Sequence, residues 1–513
     1  MRSKKVLVNS LFGLIGYLVL MVSNFITRSV FVDSLGLSMA GVDTTFKNFL
    51  QVLSLAELGL STGLIYKLYR PIEEKDNAAI KRVLNFYKRA YKIIALIFMG
   101  GALVLSVIVP FFVHDTDKSP LYLGFLFVLY AGDTVASYLF ANRKALIVAD
   151  QNNYLVNRND AFVSIITAIL QITLLYITKS FIVYAVVKIV CRLIGASLIG
   201  RKFKKMYPEI AGDKSKDIIG GEERGDLMKN MGAMLCHKIG AVSVTASGSA
   251  ILSAMISTTM AGVYGNYVLV TNTLLMLIAQ VFYGITASFG NVMTVETKEA
   301  VYKKFKVLYF FNFLIISFCT TATFVLIQPF MKLWIGNKTD NLFDLGTVVL
   351  LICYFYAFGI RRVVLMTKDS AGLFRPDRYF AIFEAVFNIV ASVVLVHITK
   401  SVNGLIAANL LSILIVPLWT QPKIIYKSIF QRGVGEYYLK YLLYAVITAV
   451  VTAGTYFAAN CLVRVEAIIL EILLKGIICV ILPILVYVIL FYKTEEFKYI
   501  IGMIKGLITR KGK

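Results

Sequence analysis

Ala40-Gly41-Val42 recurs as Ala261-Gly262-Val263, and Ile177-Thr178-Lys179-Ser180 recurs as Ile398-Thr399-Lys400-Ser401, both at a spacing of 221 residues. Two short matches in one register, each opening a long apolar segment, read as the trace of one duplicated unit. The chain of 513 residues therefore reads as two similar halves.

Composition says where those halves live. With 58% apolar and 16% charged residues and a mean hydropathy of +0.76, the chain has too little polar surface for a soluble globule of this size. Its first apolar stretch, Val6 to Phe31, is long enough to span a bilayer, so it reads as a membrane helix and not as a cleaved signal peptide. Hydropathy marks fourteen such segments, centred near Gly16, Leu55, Ile97, Leu129, Ala168, Val190, Val242, Ile278, Ile316, Cys353, Ile389, Leu411, Ile447 and Val480. They must be helices, because hydrocarbon offers no partner to free amide and carbonyl groups. The fold expected is an all-α integral membrane protein of 14 transmembrane helices: two parallel-repeat six-helix lobes at 1–207 and 227–427, a cytoplasmic linker at 208–226, two additional helices at 428–493, and a basic amphipathic tail at 494–513.

Lys and Arg gather on one side of these segments, as at Arg2, Lys4 and Lys5, at Arg143 and Lys144, at Arg201 to Lys205 and at Lys303 to Lys306. The positive-inside rule then makes both termini cytoplasmic, and six helices per half makes the repeat parallel. The net charge of +24 is thus a topology signal and not a nucleic-acid footprint. In the tail, Phe497, Ile500, Ile501, Ile504 and Ile508 follow helical spacing between Lys498, Lys505 and Arg510, as in a helix lying on an anionic leaflet or a solubilising basic tail.

The motifs of catalysis are absent. There is no phosphate-binding Gly-rich loop with Lys-Ser/Thr, no His-Glu-x-x-His and no Cys-x-x-Cys, and the six cysteines and three histidines are scattered. The reading is a non-enzyme without cofactor or metal. What stands out instead is charge at membrane depth, which is costly and so faces a partner or water. Arg28, Lys188, Arg192 and Lys238 are cations placed in spans, with Lys188 and Arg192 four apart on one helix face; Glu57, Asp133 and Glu384 are acids for ion coupling or for charge pairing. A surplus of cations calls for an anionic cargo, and phosphate oxygens suit Arg and Lys.

Ile26-Thr27-Arg28-Ser29-Val30-Phe31, Leu35-Gly36, Leu53-Ser54-Leu55-Ala56-Glu57-Leu58-Gly59-Leu60 and Tyr66-Lys67-Leu68-Tyr69-Arg70-Pro71 resemble the opening of Wzx-type polysaccharide-repeat flippases of the multidrug/oligosaccharidyl-lipid/polysaccharide (MOP) exporter superfamily. The resemblance is specific over roughly the first hundred residues and general beyond them. It implies MATE-like lobes around a cationic central cavity, in the bacterial cytoplasmic membrane. The cargo it implies is undecaprenyl-pyrophosphate-linked oligosaccharide, a capsule or cell-wall repeat unit, moved to the outer leaflet by alternating access. The partners it implies are this lipid-linked oligosaccharide, the membrane, and a polysaccharide polymerase with glycosyltransferases, but no nucleic acid. Arg28 and Glu57 are carried by the matching motif; Lys188, Arg192 and Lys238 are placed in the cavity by depth and charge. Two rivals are an ion-coupled drug or cation antiporter of the same superfamily, which favours an acidic cavity and twelve helices, and a membrane scaffold for polysaccharide enzymes.

Overall fold

The computed structural model describes residues 2–54, 60–138, 140–150, 152–212, 215, 247–336, 342–371, 373, 376 and 378–510, and among these every regular element is helical. Among the described residues, twelve helical stretches are long and apolar enough to cross a membrane, where hydropathy marks fourteen over the whole sequence. Two causes account for the difference. The expected helix at Val242 lies outside the described residues, and Leu18–Leu53 is counted as one span although the chain turns back within it. The chain divides into two compact units, Met1–Gly265 and Asn266–Lys513.

The first unit holds α1 (Arg2–Leu53), α2 (Leu60–Glu74), α3 (Asn77–Ile108), α4 (Pro120–Tyr138), α5 (Ala141–Ala149), α6 (Asn153–Thr178), α7 (Phe181–Met206) and α8 (Pro208–Gly212). Gly36 breaks α1 with φ 85° and ψ 170°, a conformation that only glycine adopts without strain. Arg28 and Asp43, fifteen positions apart, touch across this break at 2.8 Å. A straight helix would hold them roughly 22 Å apart, so α1 is a hairpin of two limbs. α1 packs on α6, α6 on α7, and α4 on both α3 and α7. Between them lies a layer of buried rings, Phe31, Phe46, Phe127, Tyr130 and Phe181, meeting edge to face. Outward-facing positions such as Leu96, Leu121 and Tyr176 stay exposed, the arrangement a lipid solvent permits.

The first residues of α9 (Thr258–Val295) also belong to this unit, and they cross the second limb of α1 at backbone contact. A Cβ on Gly41 would stand 1.9 Å from the Thr258 carbonyl oxygen, and one on Gly262 would stand 2.3 Å from that of Leu37. Gly41 and Gly262 are equivalent positions of the duplicated string, and so are Leu37 and Thr258. The contact is therefore reciprocal: each copy's glycine rests on the other copy's preceding turn.

The second unit continues α9 and adds α10 (Lys298–Ile335), α11 (Leu345–Ile360), α12 (Arg362–Ser370), α13 (Arg378–Thr399), α14 (Val402–Ile415), α15 (Pro417–Ile425), α16 (Gly435–Leu462), α17 (Ile468–Phe491) and α18 (Glu495–Arg510). α10, α12 and α14 begin 221 residues after α3, α5 and α7. The repeated Ile-Thr-Lys-Ser string builds the same turn twice: Lys179 and Lys400 take left-handed φ values of 48° and 49°, and Ser180 and Ser401 cap α7 and α14.

The two additional helices are seated on α10 by aromatic packing. Phe313 stacks on Tyr444 at 4.1 Å and meets Phe491 at 5.6 Å. Ser317, Thr448 and Tyr487 add buried hydroxyl contacts between them. In α18, Phe497 and Ile500 pack against this same cluster, whereas Lys498 and Tyr499 are exposed. Lys440 of α16 holds Glu496 at 3.1 Å.

The backbone crossing gives the first prediction. Gly41→Ala or Gly262→Ala should each lower thermal stability by about 1–3 kcal/mol or more, the usual cost of overpacking. Gly100→Ala, where a Cβ meets nothing within 4 Å, should not. Thermal unfolding of the purified protein, read by size-exclusion fluorescence, checks the difference.

Candidate functional site

The hairpin at Gly36 sets the two limbs of α1 side by side, and their facing charges meet. Arg28 donates to Asp43 Oδ2 at 2.8 Å, and to the Ala40 carbonyl oxygen and Thr44 Oγ1, each at 3.2 Å. Lys47, one turn beyond Asp43, donates to the same Oδ2 at 2.7 Å. Asp43 Oδ1 accepts from the Tyr130 hydroxyl of α4 at 2.7 Å. This carboxylate, with 3% of its side chain exposed, thus has both oxygens engaged by three donors, which is what keeps a charge at this depth tolerable.

A second carboxylate stands one turn along α4. Asp133 Oδ2 lies 3.1 Å from Lys188 Nζ and 3.0 Å from Arg192 Nη2, while Arg192 Nε reaches Oδ1. The four-residue spacing of Lys188 and Arg192 on α7 lets both close on one acid. Lys188 Nζ also sits 5.9 Å above the Tyr130 ring. The two groups are thus neighbours, joined through Tyr130. Counted from Gly36 and from the turn at Lys179 and Ser180, these cations lie eight to twelve residues into their helices, roughly 12–18 Å along the axis.

Charge and exposure are unevenly shared. Among the described residues, four cations (Arg28, Lys47, Lys188 and Arg192) face two carboxylates, which leaves two positive charges in excess; Asp160, a further acid acting on Arg192, is itself paired with Lys144. The acids are hidden, with 3% and 10% of their side chains exposed, as is Arg28 at 10%; Lys47, Lys188 and Arg192 are open at 51%, 33% and 40%. The accessible part of the cluster is therefore cationic and its buried part acidic. Such a surplus carries an insertion cost of about 2.5–3.5 kcal/mol per charge, and the aromatic layer beneath it offers no counter-charge.

The duplication does not repeat this chemistry. At the 221-residue spacing, Arg28, Asp43, Lys47, Asp133, Lys188 and Arg192 correspond to Ser249, Tyr264, Val268, Tyr354, Asn409 and Ile413, all neutral. Asn409 instead accepts from Asn388 at 2.9 Å. Of the residues expected from sequence, the structure brings together Arg28, Asp133, Lys188 and Arg192. Glu384 stands apart in the second unit, 3.8 Å from Arg361, whose guanidinium also reaches Gln421 at 3.2 Å. Lys238 and Glu57 lie outside the described residues. Sequence reading missed Asp43 and Lys47, although an acid and a base four apart were visible directly after the Ala-Gly-Val string. It also missed Lys475, buried in α17 between Glu471 at 2.7 Å and Asn460 at 2.6 Å.

No family model matches the sequence, and no curated protein matches it. Solved structures do. The inward-facing conformation of a multidrug resistance MATE family transporter of the MOP superfamily superposes with a TM-score of 0.62 at 13% identity, covering 81% of this chain and 98% of that one. A Vibrio cholerae MATE transporter gives 0.58 at 13% identity, over 84% and 98%. A MOP superfamily transporter from Pyrococcus furiosus, in which reverse polarity of the binding pocket suggests a different function, gives 0.54 at 14% identity, over 84% and 97%. An outward-facing conformation of a multidrug resistance MATE transporter matches as well, at 0.52 and 16% identity. The fold is MATE-like, and the chain is a multi-pass membrane protein.

Asp133→Asn would leave Lys188 and Arg192 without their shared carboxylate. Because both cations are partly exposed, the expected loss is about 2 kcal/mol, below the full penalty of a broken buried pair. Adding Lys188→Gln should recover part of it, as thermal unfolding of the single and double variants will report.

Proposed function

We propose that this chain is a flippase that carries undecaprenyl-pyrophosphate-linked oligosaccharide from the cytoplasmic to the outer leaflet of the bacterial cytoplasmic membrane, with both termini cytoplasmic. The observation that carries the reading is the excess of accessible cations over buried acids in the first unit. A doubly charged pyrophosphate diester complements that excess, with Lys47, Lys188 and Arg192 as its contacts and Arg28 as the hidden brace. Lys238 is proposed with them on sequence grounds, and Glu57 as an ion-coupling residue. A polysaccharide polymerase and glycosyltransferases are the proposed partners.

Polarity favours an anionic cargo. A cationic drug would have to approach Lys47, Lys188 and Arg192 against Coulomb repulsion, and the two acids that might attract it are covered. Reversed pocket polarity also distinguishes the Pyrococcus furiosus transporter of this fold. The helices that follow the repeated halves, α16 and α17, support this reading over a twelve-helix antiporter. Multidrug transporters of this fold take inward-facing and outward-facing conformations, which supports alternating access as the mechanism here. With no nucleotide-binding motif in the sequence, the drive is an ion gradient, product removal or the membrane potential. Potential alone supplies about 2.3 kcal/mol per charge per 100 mV, and it favours outward movement of a dianion from a negative interior.

In proteoliposomes, Lys47→Gln, Lys188→Gln and Arg192→Gln should each slow transfer of a pyrophosphate-linked oligosaccharide by about tenfold or more, the worth of one charge-assisted contact. Unchanged transfer by the Lys188→Gln/Arg192→Gln double variant, or efflux of a cationic dye without oligosaccharide transfer, would sink the proposal.

A further inference from the structure

Tyr130 is the side chain through which the two ion groups of the first unit meet. Its hydroxyl donates to Asp43 Oδ1 at 2.7 Å, and its ring face lies 5.9 Å below Lys188 Nζ. Two near-perpendicular rings border it. Phe46 and Phe181 stand edge-on to it at 5.8 and 5.7 Å, and Tyr130 is buried.

That placement has an electrostatic consequence. Asp43 Oδ2 already serves Arg28 and Lys47, so Oδ1 is where a third cation would attach. The Tyr130 hydroxyl occupies Oδ1 with a neutral donor. Lys188 therefore leans on Asp133, where it shares one oxygen with Arg192, and rests on a π face that attracts its charge without neutralising it. Without the hydroxyl, Asp43 would compete for the Lys188 ammonium and draw it inward from its exposed position.

We infer that Tyr130 is a positioning residue for cargo binding: by filling Asp43 Oδ1 and carrying Lys188 on its ring, it keeps the Lys188 ammonium presented to an anionic pyrophosphate group. This rests on the cargo reading given above, and it adds a residue that makes no contact with cargo itself.

The test is a double-mutant cycle on the full-length protein in lipid nanodiscs, titrated with inorganic pyrophosphate by calorimetry, with thermal unfolding of every variant recorded. Tyr130→Phe should weaken pyrophosphate binding roughly five- to tenfold, part of the worth of the charge-assisted Lys188 contact that it positions. In a Lys188→Gln background the same change should cost less than about twofold, because the residue it acts through is already gone. Equal losses in both backgrounds, or unchanged binding by Tyr130→Phe, would overturn the positioning role while leaving the cargo reading intact. If Lys47→Gln and Lys188→Gln both bind pyrophosphate as the parent does, the cargo reading itself falls and this inference with it.

Discussion

One buried carboxylate organises the interior of the first unit. Asp43 accepts from both limbs of the α1 hairpin and from α4, so three otherwise separate segments are tied to a single side chain. In water such an arrangement would be worth little, since each ion keeps its hydration. Inside a bundle surrounded by hydrocarbon, unpaired charge is what the fold can least tolerate, and the geometry of α1, α4 and α7 follows from satisfying it. The Gly36 reversal is part of the same solution, because without it Arg28 and Asp43 would be stranded on opposite ends of a rod.

The duplication was legible because its signal was local. Ile-Thr-Lys-Ser carries a helix end, a left-handed residue and an N-cap, and those four positions build the same turn wherever they occur. Helix existence was legible too, since hydrophobic length fixes it. The break within 18–53 was legible as the gap between the segment ending at Phe31 and the one centred near Leu55; that Gly36 turns it into a tight hairpin was not. The site was legible by half. Lys188 and Arg192 announce themselves by sitting in a strongly apolar span, whereas Asp43 and Lys47 lie in a stretch with several other polar residues, and only the hairpin brings them to the others. Tyr130 gives no sign in sequence at all: a tyrosine in an apolar helix is common, and its role arises from two contacts made across three helices.

Two copies of one architecture have been put to different use. The first carries ions where the second carries Tyr264, Tyr354, Asn409 and Ile413. The second spends its interior on aromatic packing, and that packing seats α16, α17 and α18 through Phe313, Tyr444, Phe491 and Ile500. Backbone scaffolding and side-chain chemistry have thus diverged at different rates: the turns and helix starts still match in register, while nearly every polar group that matters has changed.

The crossing at Gly41 and Gly262 bears on how such a chain arose. Because each glycine meets the residue equivalent to the one its counterpart meets, the joint obeys the rule of an isologous interface, in which one surface pairs with itself. A half-length ancestor would have needed only a single Ala-Gly-Val string to assemble as a homodimer through this patch. Joined in one chain, two such copies would be free to vary elsewhere, but not here, where neither helix of the crossing has room for even one added carbon.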